Sequence, residues 1–532
     1  MTLAHVRGDT QAILRRLTIG DSLRSAAAEC PDRVALILPA AGHPALRTWT
    51  YRELLCESET VAHALLGRFA PGDRVATWAG GSAEMVLLEL GAALAGMILV
   101  TINPANRGGE LQYLLAQSEA RGLFLDRAYR GLDGAAVLAE VRSSLPHLQS
   151  LVYMDEWSTF SASARPVTLP QVAADAAAMI IFTSGTTGKP KGAVLTHEGM
   201  VNNAAFTAAK VGVAAGSVWL NVLPMYHIGG TGTLTLGVLA KLGTQVLLPE
   251  FNAEAMLDAL QRYRVNATMA VPTMLLAMLE SPQFPATDLA ALQVIVSGGT
   301  VVPPEVVRRV KREFGCDVMV LMGQTEASGT MFITARDDDD ARIARSVGVP
   351  LPLSEAKVIS IVDGHTLAVG EVGEICVRNP YVMSGYFRMA DKTREAIDAD
   401  GWLHTTDLGL VGSDGYLQVT GRLKDMIIRG GENIYPREIE DVLAEHPTVS
   451  QAAVFGLPDE RWGEQVAAAV VAKPGASIDI ADLTTFLQAR ISRHKVPKRW
   501  HIVASFPLNA SGKVQKFILR DQLAATGSSR EQ

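Results

Sequence analysis

Between Ala178 and Gly192 the chain reads AMIIFTSGTTGKPKG. An apolar run, Ala178–Phe182, leads into Thr183, Ser184, Gly185, Thr186, Thr187 and Gly188, then Lys189 and Lys191. Two glycines let a loop fold back so that several backbone N–H groups face one point. Four hydroxyls add donors and two lysines add charge. Such a loop is built to hold a polyphosphate. It is not the common P-loop, because Pro190 stands where GxxxxGK[ST] needs its second glycine. Nor does Gly230-x-Gly232 open a dinucleotide fingerprint, since Thr235 occupies the third glycine position.

Further segments rich in glycine and polar residues follow in order. They are Pro224-Met-Tyr226-His227, Ser297-Gly298-Gly299-Thr300, Gly323-Gln324-Thr325-Glu326 and Gly401-Trp-Leu-His-Thr-Thr-Asp407. After them come Gly421-Arg422-Leu-Lys424-Asp425, Arg429-Gly430-Gly431-Glu432 and Asn509-Ala-Ser-Gly-Lys513. As an ordered set running from Thr183 to Lys513, these motifs resemble those of the adenylate-forming superfamily: acyl-CoA synthetases, carrier-protein adenylation domains and luciferases. Two positions depart from that family's pattern. Met322 stands where an aromatic ring usually meets adenine, and Thr406 where a glycine usually precedes the aspartate.

The resemblance implies a two-step reaction. A carboxylate attacks the α-phosphorus of ATP to give acyl-adenylate and pyrophosphate, and a thiol then takes the acyl group. The acid is ionised near neutral pH, so the first step needs cations and fixed donors rather than a general base. By resemblance, the loop of Thr183, Ser184, Gly185, Thr186, Thr187, Gly188 and Lys189 holds phosphates. Gly298, Gly299, Thr300, Gln324 and Thr325 face the nucleotide, with Thr325 at the α-phosphate. Glu326 and Thr183 are the candidate Mg²⁺ ligands, a carboxylate and a hydroxyl suiting that hard ion. Asp407 would accept the ribose hydroxyls, with Arg422 as its cationic neighbour. Lys513 would bridge the incoming carboxylate and the α-phosphate, and His227 would stand between acyl pocket and phosphate. Tyr226, His227, Gly229, Gly230, Ser297, Gly298 and Gly323 would line the acyl pocket. Lys424 would be the hinge, and Gly430 and Gly431 would line the coenzyme A channel. Arg490, Arg493, His494, Lys495, Lys498 and Arg499 form a basic stretch that either meets coenzyme A phosphates or ends a solvated helix.

The expected substrates are ATP with Mg²⁺, coenzyme A and a hydrophobic monocarboxylic acid. The stretches Gly229–Thr233 and Ser297–Thr300 carry no acid to hold an ammonium, and the acyl segments offer no arginine for a second carboxylate. An acyl-carrier protein is the alternative acceptor. Retention of Glu326, Asp407 and Lys513 argues against a catalytically silent nucleotide binder.

These motifs must be carried by folded elements, and the composition supplies them. Of 532 residues, 48 % are hydrophobic and 19 % charged, and the net charge is −7. That rules out wholesale disorder and gives no electrostatic reason for a nucleic-acid partner. Cys30, Cys56, Cys316 and Cys376 fit neither a disulfide framework nor a zinc site. The first residues lack a signal peptide's apolar core and the last carry no prenylation or peroxisomal address, so the expected location is cytoplasmic. The expected state is a monomer or homodimer. Met85–Ile102 is apolar enough to suggest a membrane span, but Glu89 and the β-branched end read better as a buried helix entering a buried strand.

Helix and strand periods alternate through most of the chain. The expected helices include Thr50–Phe69, Ser82–Leu94, Pro436–Ala444 and Ile480–Ile491. The expected strands include Arg74–Trp78, Ile98–Ile102, Thr244–Leu248, Ala267–Val271, Val294–Ser297 and Val318–Leu321. Val382–Tyr386, Leu408–Val411 and Tyr416–Val419 read as short strands, and Asp337–Asp340 as a solvated loop. The fold class is therefore α/β: a large N-terminal domain of helix-flanked sheets with a small β-rich subdomain (1–421), a hinge (422–424), and a small mobile α+β C-terminal domain (425–532).

Overall fold

The computed structural model describes residues 2–40, 43–183, 189–299, 302–429, 432–459, 461–507 and 514–527. They form two compact units: residues 5–356 with 376–404, and residues 1–4 and 357–375 with 405 onward. The expected boundary at 421/422 thus lies inside the second unit, which takes in the residues from Thr405 as well as the C-terminal segment.

The first unit holds two large sheets. One runs Val349–Pro350, Gly329–Ile333, Asp317–Gln324, Val294–Gly298, Ala267–Met269, Val218–Asn221, Thr244–Leu247, Val34–Ala40 and His43–Thr50. From Asp317–Gln324 to Val34–Ala40 neighbouring strands are parallel. Helices connect several of them, as parallel pairing requires. Ala253–Arg262 and Pro304–Phe314 bury Met256, Leu257, Val307 and Val310 in one core with Leu220, Val246, Ile295 and Val318 of the strands. The other sheet runs Gly385–Tyr386, Lys191–Thr196, Ala177–Thr183, Ile98–Thr101, Arg74–Trp78, Gly122–Leu125 and Ser150–Tyr153.

In that second sheet Ala177–Thr183 lies parallel to Ile98–Thr101 and antiparallel to Lys191–Thr196, with Thr183 opposite Lys191. The glycine-rich stretch therefore joins a hairpin instead of leading straight into a helix, a physical reason why the P-loop spacing fails. The helix His197–Val211 starts only after the returning strand, capped by Thr196, whose Oγ1 accepts the Gly199 N–H at 3.1 Å.

The helix Ala83–Leu94, capped by Ser82, is buried along its whole length except Glu84. It runs on to Ile98–Thr101, so the apolar stretch divides into helix and strand as expected. No helix among the described residues is long and apolar enough to cross a membrane. Glu89 sits in the middle of this helix, 2 % exposed, with one oxygen 2.5 Å from Thr231 Oγ1 and the other without a partner among the described residues. Thr231 belongs to Gly229–Leu236, a π-helical segment directly after His227. The run Asp337–Asp340 corrects the expectation of a solvated loop. Asp339 caps the helix Asp340–Arg345, and the buried Asp338 accepts the Ala335 N–H at 2.7 Å and pairs with Arg342.

In the second unit, Ile427–Arg429, Glu432–Ile434, Gly463–Ala472, Val449–Asp459 and Arg499–Ile502 form a five-stranded sheet. The helices Pro436–Ala444 and Ile480–Gln488 bury Ile439, Leu443, Leu483 and Leu487 against Ile427, Val454 and Val466. The antiparallel pair Leu403–Val411 and Leu417–Arg422 sets Asp407 opposite Arg422.

Burial pushes the Glu89 carboxyl up to about 8, against an ordinary 4.5, so the folded chain holds a proton there that the unfolded chain releases. Stability from this group is full below pH 4.5 and is lost as pH rises through 8. Between pH 5 and pH 9 the wild type should lose about 4 kcal/mol relative to the Glu89→Gln variant, three pH units at about 1.36 kcal/mol each. Denaturant unfolding of both proteins at the two pH values checks this; parallel pH profiles would refute it.

Candidate active site

Thr183 ends the strand that enters the glycine-rich stretch, and Glu326 lies in a 3₁₀ turn, Thr325–Ala327, at the end of Asp317–Gln324. The fold brings the two together. Thr183 Oγ1 donates to Glu326 Oε1 at 3.0 Å, and Tyr386 Oη donates to the same oxygen at 2.8 Å. Among the described residues no lysine or arginine pairs with Glu326. Hydroxyls orient a carboxylate without occupying it as a counter-ion would, and an all-oxygen donor set of this kind fits Mg²⁺.

Nothing in the sequence marks Tyr386 as a site residue. It comes from the two-residue strand Gly385–Tyr386 at the sheet edge, which places it opposite Ala193. Burial and the Glu326 carboxylate push its phenol well above the usual range, so it stays a donor. Lys191 Nζ lies 4.2 Å from the centre of its ring, and Lys189 Nζ 5.1 Å from that of Tyr113. Tyr113 Oη in turn donates to the Pro190 carbonyl at 2.9 Å. Two aromatic rings thus hold both lysines where the hairpin begins to close.

Gly298 ends one strand and Gly323 is near the end of the next, and each is approached closely by the backbone of a neighbouring strand. A Cβ would lie 2.4 Å from the Leu321 carbonyl oxygen at Gly298, and 2.3 Å from that of Gly329 at Gly323. Ser297 is fully buried, and its hydroxyl meets no partner among the described residues. Gly299 is exposed, Gln324 half-buried and Thr325 buried. Met322 pairs in register with Phe332.

His227 Nδ1 accepts the Gly229 N–H at 3.1 Å, which leaves the ring proton on Nε2. The His227 carbonyl accepts from Gly230 and Thr231 to start the π-helical segment, and Thr101 Oγ1 holds the Tyr226 carbonyl at 3.0 Å. Tyr226, His227 and Gly229 are half-buried and Gly230 is buried.

In the other unit, Asp407 is 5 % exposed, and its Oδ1 is 3.0 Å from Arg422 Nε. Thr405 Oγ1 accepts the Asp407 N–H at 3.1 Å, and Glu374 Oε1 accepts that of Thr406 at 3.1 Å. Thr406 has φ +58°, the left-handed region that a β-branched residue rarely enters. A glycine takes that shape without strain, which accounts for the residue the resemblance leads one to expect there. Lys424 is exposed on the 3₁₀ turn Leu423–Asp425. The basic stretch is partly neutralised: Lys495 pairs with Glu438 at 2.7 Å and His494 with Glu432 at 3.0 Å, while Arg490 lies over the Phe486 ring. Nothing in the sequence singles out Trp462, which is 40 % exposed with Arg429 and Arg461 over its ring at 4.9 and 5.1 Å. Ser184, Gly185, Thr186, Thr187, Gly188, Thr300, Gly430, Gly431 and Lys513 lie outside the described residues.

Residues 23–387 match the model of the AMP-binding enzyme family, and residues 438–513 that of the AMP-binding enzyme C-terminal domain. The chain is 35 % identical over 538 residues to YngI of Bacillus subtilis (strain 168), covering 95 % of this chain and 97 % of that one. It is 32 % identical over 556 residues to the mitochondrial medium-chain acyl-CoA ligase ACSF2 of Homo sapiens, covering 98 % and 90 %. The crystal structure of ATP-bound MatB from Rhodopseudomonas palustris superposes with a TM-score of 0.87 at 29 % identity, over 96 % of this chain and all of that one.

Thr406→Gly should stabilise the protein by about 1 kcal/mol, the relief of left-handed strain exceeding the extra freedom glycine gives the unfolded chain. Equilibrium unfolding measures it. A loss of stability would show that the threonine side chain, not the backbone shape, is what this position needs.

Proposed function

The chain belongs to the AMP-binding enzyme family and is an adenylate-forming enzyme of acyl-CoA synthetase type; on that premise we propose that it joins a hydrophobic monocarboxylic acid, a fatty acid in the first instance, to coenzyme A. ATP supplies the driving force and leaves as AMP and pyrophosphate. The observation that carries this reading is the meeting of Thr183, Tyr386 and Glu326, residues from three distant parts of the chain, at one carboxylate oxygen beside the glycine-rich hairpin.

Glu326 and Thr183 would hold Mg²⁺, which when bound offsets phosphate charge. Lys189 and Lys191, braced by Tyr113 and Tyr386, add positive charge on the same side. Asp407 presents a buried carboxylate to the ribose hydroxyls, with Arg422 fixing its direction. The resemblance assigns Lys513 to the two repelling anions of the first step and Lys424 to the turn between the two half-reactions.

For the acceptor, coenzyme A is favoured by relatives matched over nearly their whole length and by Arg429 and Arg461, both held over the exposed Trp462 ring. Two guanidinium groups held in this way suit the phosphates of a nucleotide. For the acid, the half-buried and buried glycines after His227, with no charged neighbour in the segment, suit an uncharged apolar tail.

Pyrophosphate release measured over a series of acids of differing length and shape, with and without coenzyme A, tests the whole reading; no release with any acid would end it. Lys513→Ala should slow adenylation by on the order of 10²–10³, yet leave thioester formation from supplied acyl-adenylate near wild type. Equal losses in both steps would refute the assigned role. Lys424→Pro should do the opposite, sparing adenylation and abolishing thioester formation, and unchanged thioester turnover would remove the hinge.

A further inference from the structure

Two adjacent asparagines, Asn202 and Asn203, are fully buried on the helix His197–Val211. They do different things. Asn202 grips the N-terminal segment: its Oδ1 accepts the Arg15 N–H at 2.8 Å, and its Nδ2 donates to the carbonyls of Arg15 at 2.8 Å and Glu198 at 2.7 Å. Asn203 turns to the loop that follows Glu326. Its Nδ2 donates to the carbonyls of Ala327 at 3.1 Å and Thr330 at 2.7 Å, and its Oδ1 accepts the Thr330 N–H at 3.0 Å.

That loop needs outside support. Ser328 has φ +57° and Gly329 φ +125°, so two successive residues are held in the left-handed region. The Ser328 and Thr330 hydroxyls, both buried, have no partner among the described residues. At Gly329 a Cβ would lie 2.9 Å from both Asn203 Oδ1 and Thr233 Oγ1, so the loop is pressed against the asparagine. The Thr325–Ala327 turn is otherwise tied by the Ser328 N–H to the Thr325 carbonyl at 2.9 Å and by the Met383 N–H to the Glu326 carbonyl at 2.8 Å. Removing the Asn203 amide would take a hydrogen-bond partner from three backbone groups in a buried site, at a place where the chain is already strained.

We propose that Asn203 is a positioning residue for the Glu326 carboxylate: by clamping the backbone of residues 327–330 it fixes the turn that presents Glu326 to Thr183 and Tyr386. The inference rests on the reading of Glu326 as the group that meets the metal-bound nucleotide. Asn203 stands seven residues after Thr196, the last residue of the hairpin, so one short helix sets both the hairpin and the carboxylate.

Asn202 supplies the control, being equally buried and bonded but directed away from the site. Asn203→Ala and Asn202→Ala are compared by three measurements: thermal unfolding, equilibrium binding of ATP with and without Mg²⁺, and hydrogen exchange of the peptide spanning residues 323–333. Both variants should unfold at lower temperature. Only Asn203→Ala should weaken the Mg²⁺-dependent part of ATP binding, by about 10-fold or more, and expose the Thr330 amide to faster exchange. Asn203→Asp, which keeps the acceptor for Thr330 N–H, should exchange more slowly than Asn203→Ala at that amide, and it replaces the alanine variant if that one does not fold. Unchanged Mg²⁺-dependent binding in Asn203→Ala, or the same weakening in Asn202→Ala, would overturn the proposal. Failure of the underlying reading looks different: Glu326→Gln would then leave Mg²⁺-dependent ATP binding at the wild-type level.

Discussion

The structure of the first unit turns on one carboxylate held by hydroxyls, with no lysine or arginine paired to it among the described residues. Glu326 is steadied by two hydroxyls, and hydroxyls orient an anion without cancelling it. A lysine or arginine in the same place would hold the side chain more firmly but would compete with any metal for it. This explains why the nearby lysines are stacked on aromatic rings. Cation–π contact holds an ammonium group in place without supplying a competing carboxylate. Positive and negative charge can thus stand close together without collapsing into a salt bridge.

The constraint reaches outward through backbone geometry. Thr183 occupies its position because the hairpin register sets it opposite Lys191, and Tyr386 because a two-residue strand completes the same sheet edge. Glu326 arrives from the other sheet by way of a turn whose shape is unfavourable on its own. The same logic holds in the second unit, where hairpin register brings Asp407 to Arg422, and the threonine just before that aspartate takes a glycine-like conformation.

Much of this was legible in the residues. Arg74–Trp78 and Pro436–Ala444 follow the expected bounds because apolar periodicity and a proline at the helix start leave little choice. Ser82 caps its helix as its residue type predicts. The α/β class, the nucleotide-binding family and the split of Met85–Ile102 into helix and strand were equally readable. Tyr386 was not legible as a site residue, because its role depends on pairing across the sheet edge and on Glu326 sixty positions away. The π-helical course of Gly229–Leu236 left no signal in a run of small residues that satisfies several helical periods at once. Asp338 looked like one of four solvated acids, and only tertiary packing distinguishes the one that is buried and paired. The departure at Thr406 could be seen in the sequence, but its meaning, a strained backbone, needed the dihedral angle.

The wide-turned segment after His227 carries a consequence of its own. A π-helix takes more residues per revolution than an α-helix, so it accommodates extra chain length without shifting the elements on either side. Deleting a single residue there would let the segment tighten and rotate its later side chains around the axis, with His227 still anchored at one end and Gly237–Ala240 at the other. On the proposed reading, in which this segment lines the acyl pocket, a change in its length would reshape that pocket while leaving Thr183, Tyr386 and Glu326 where they are.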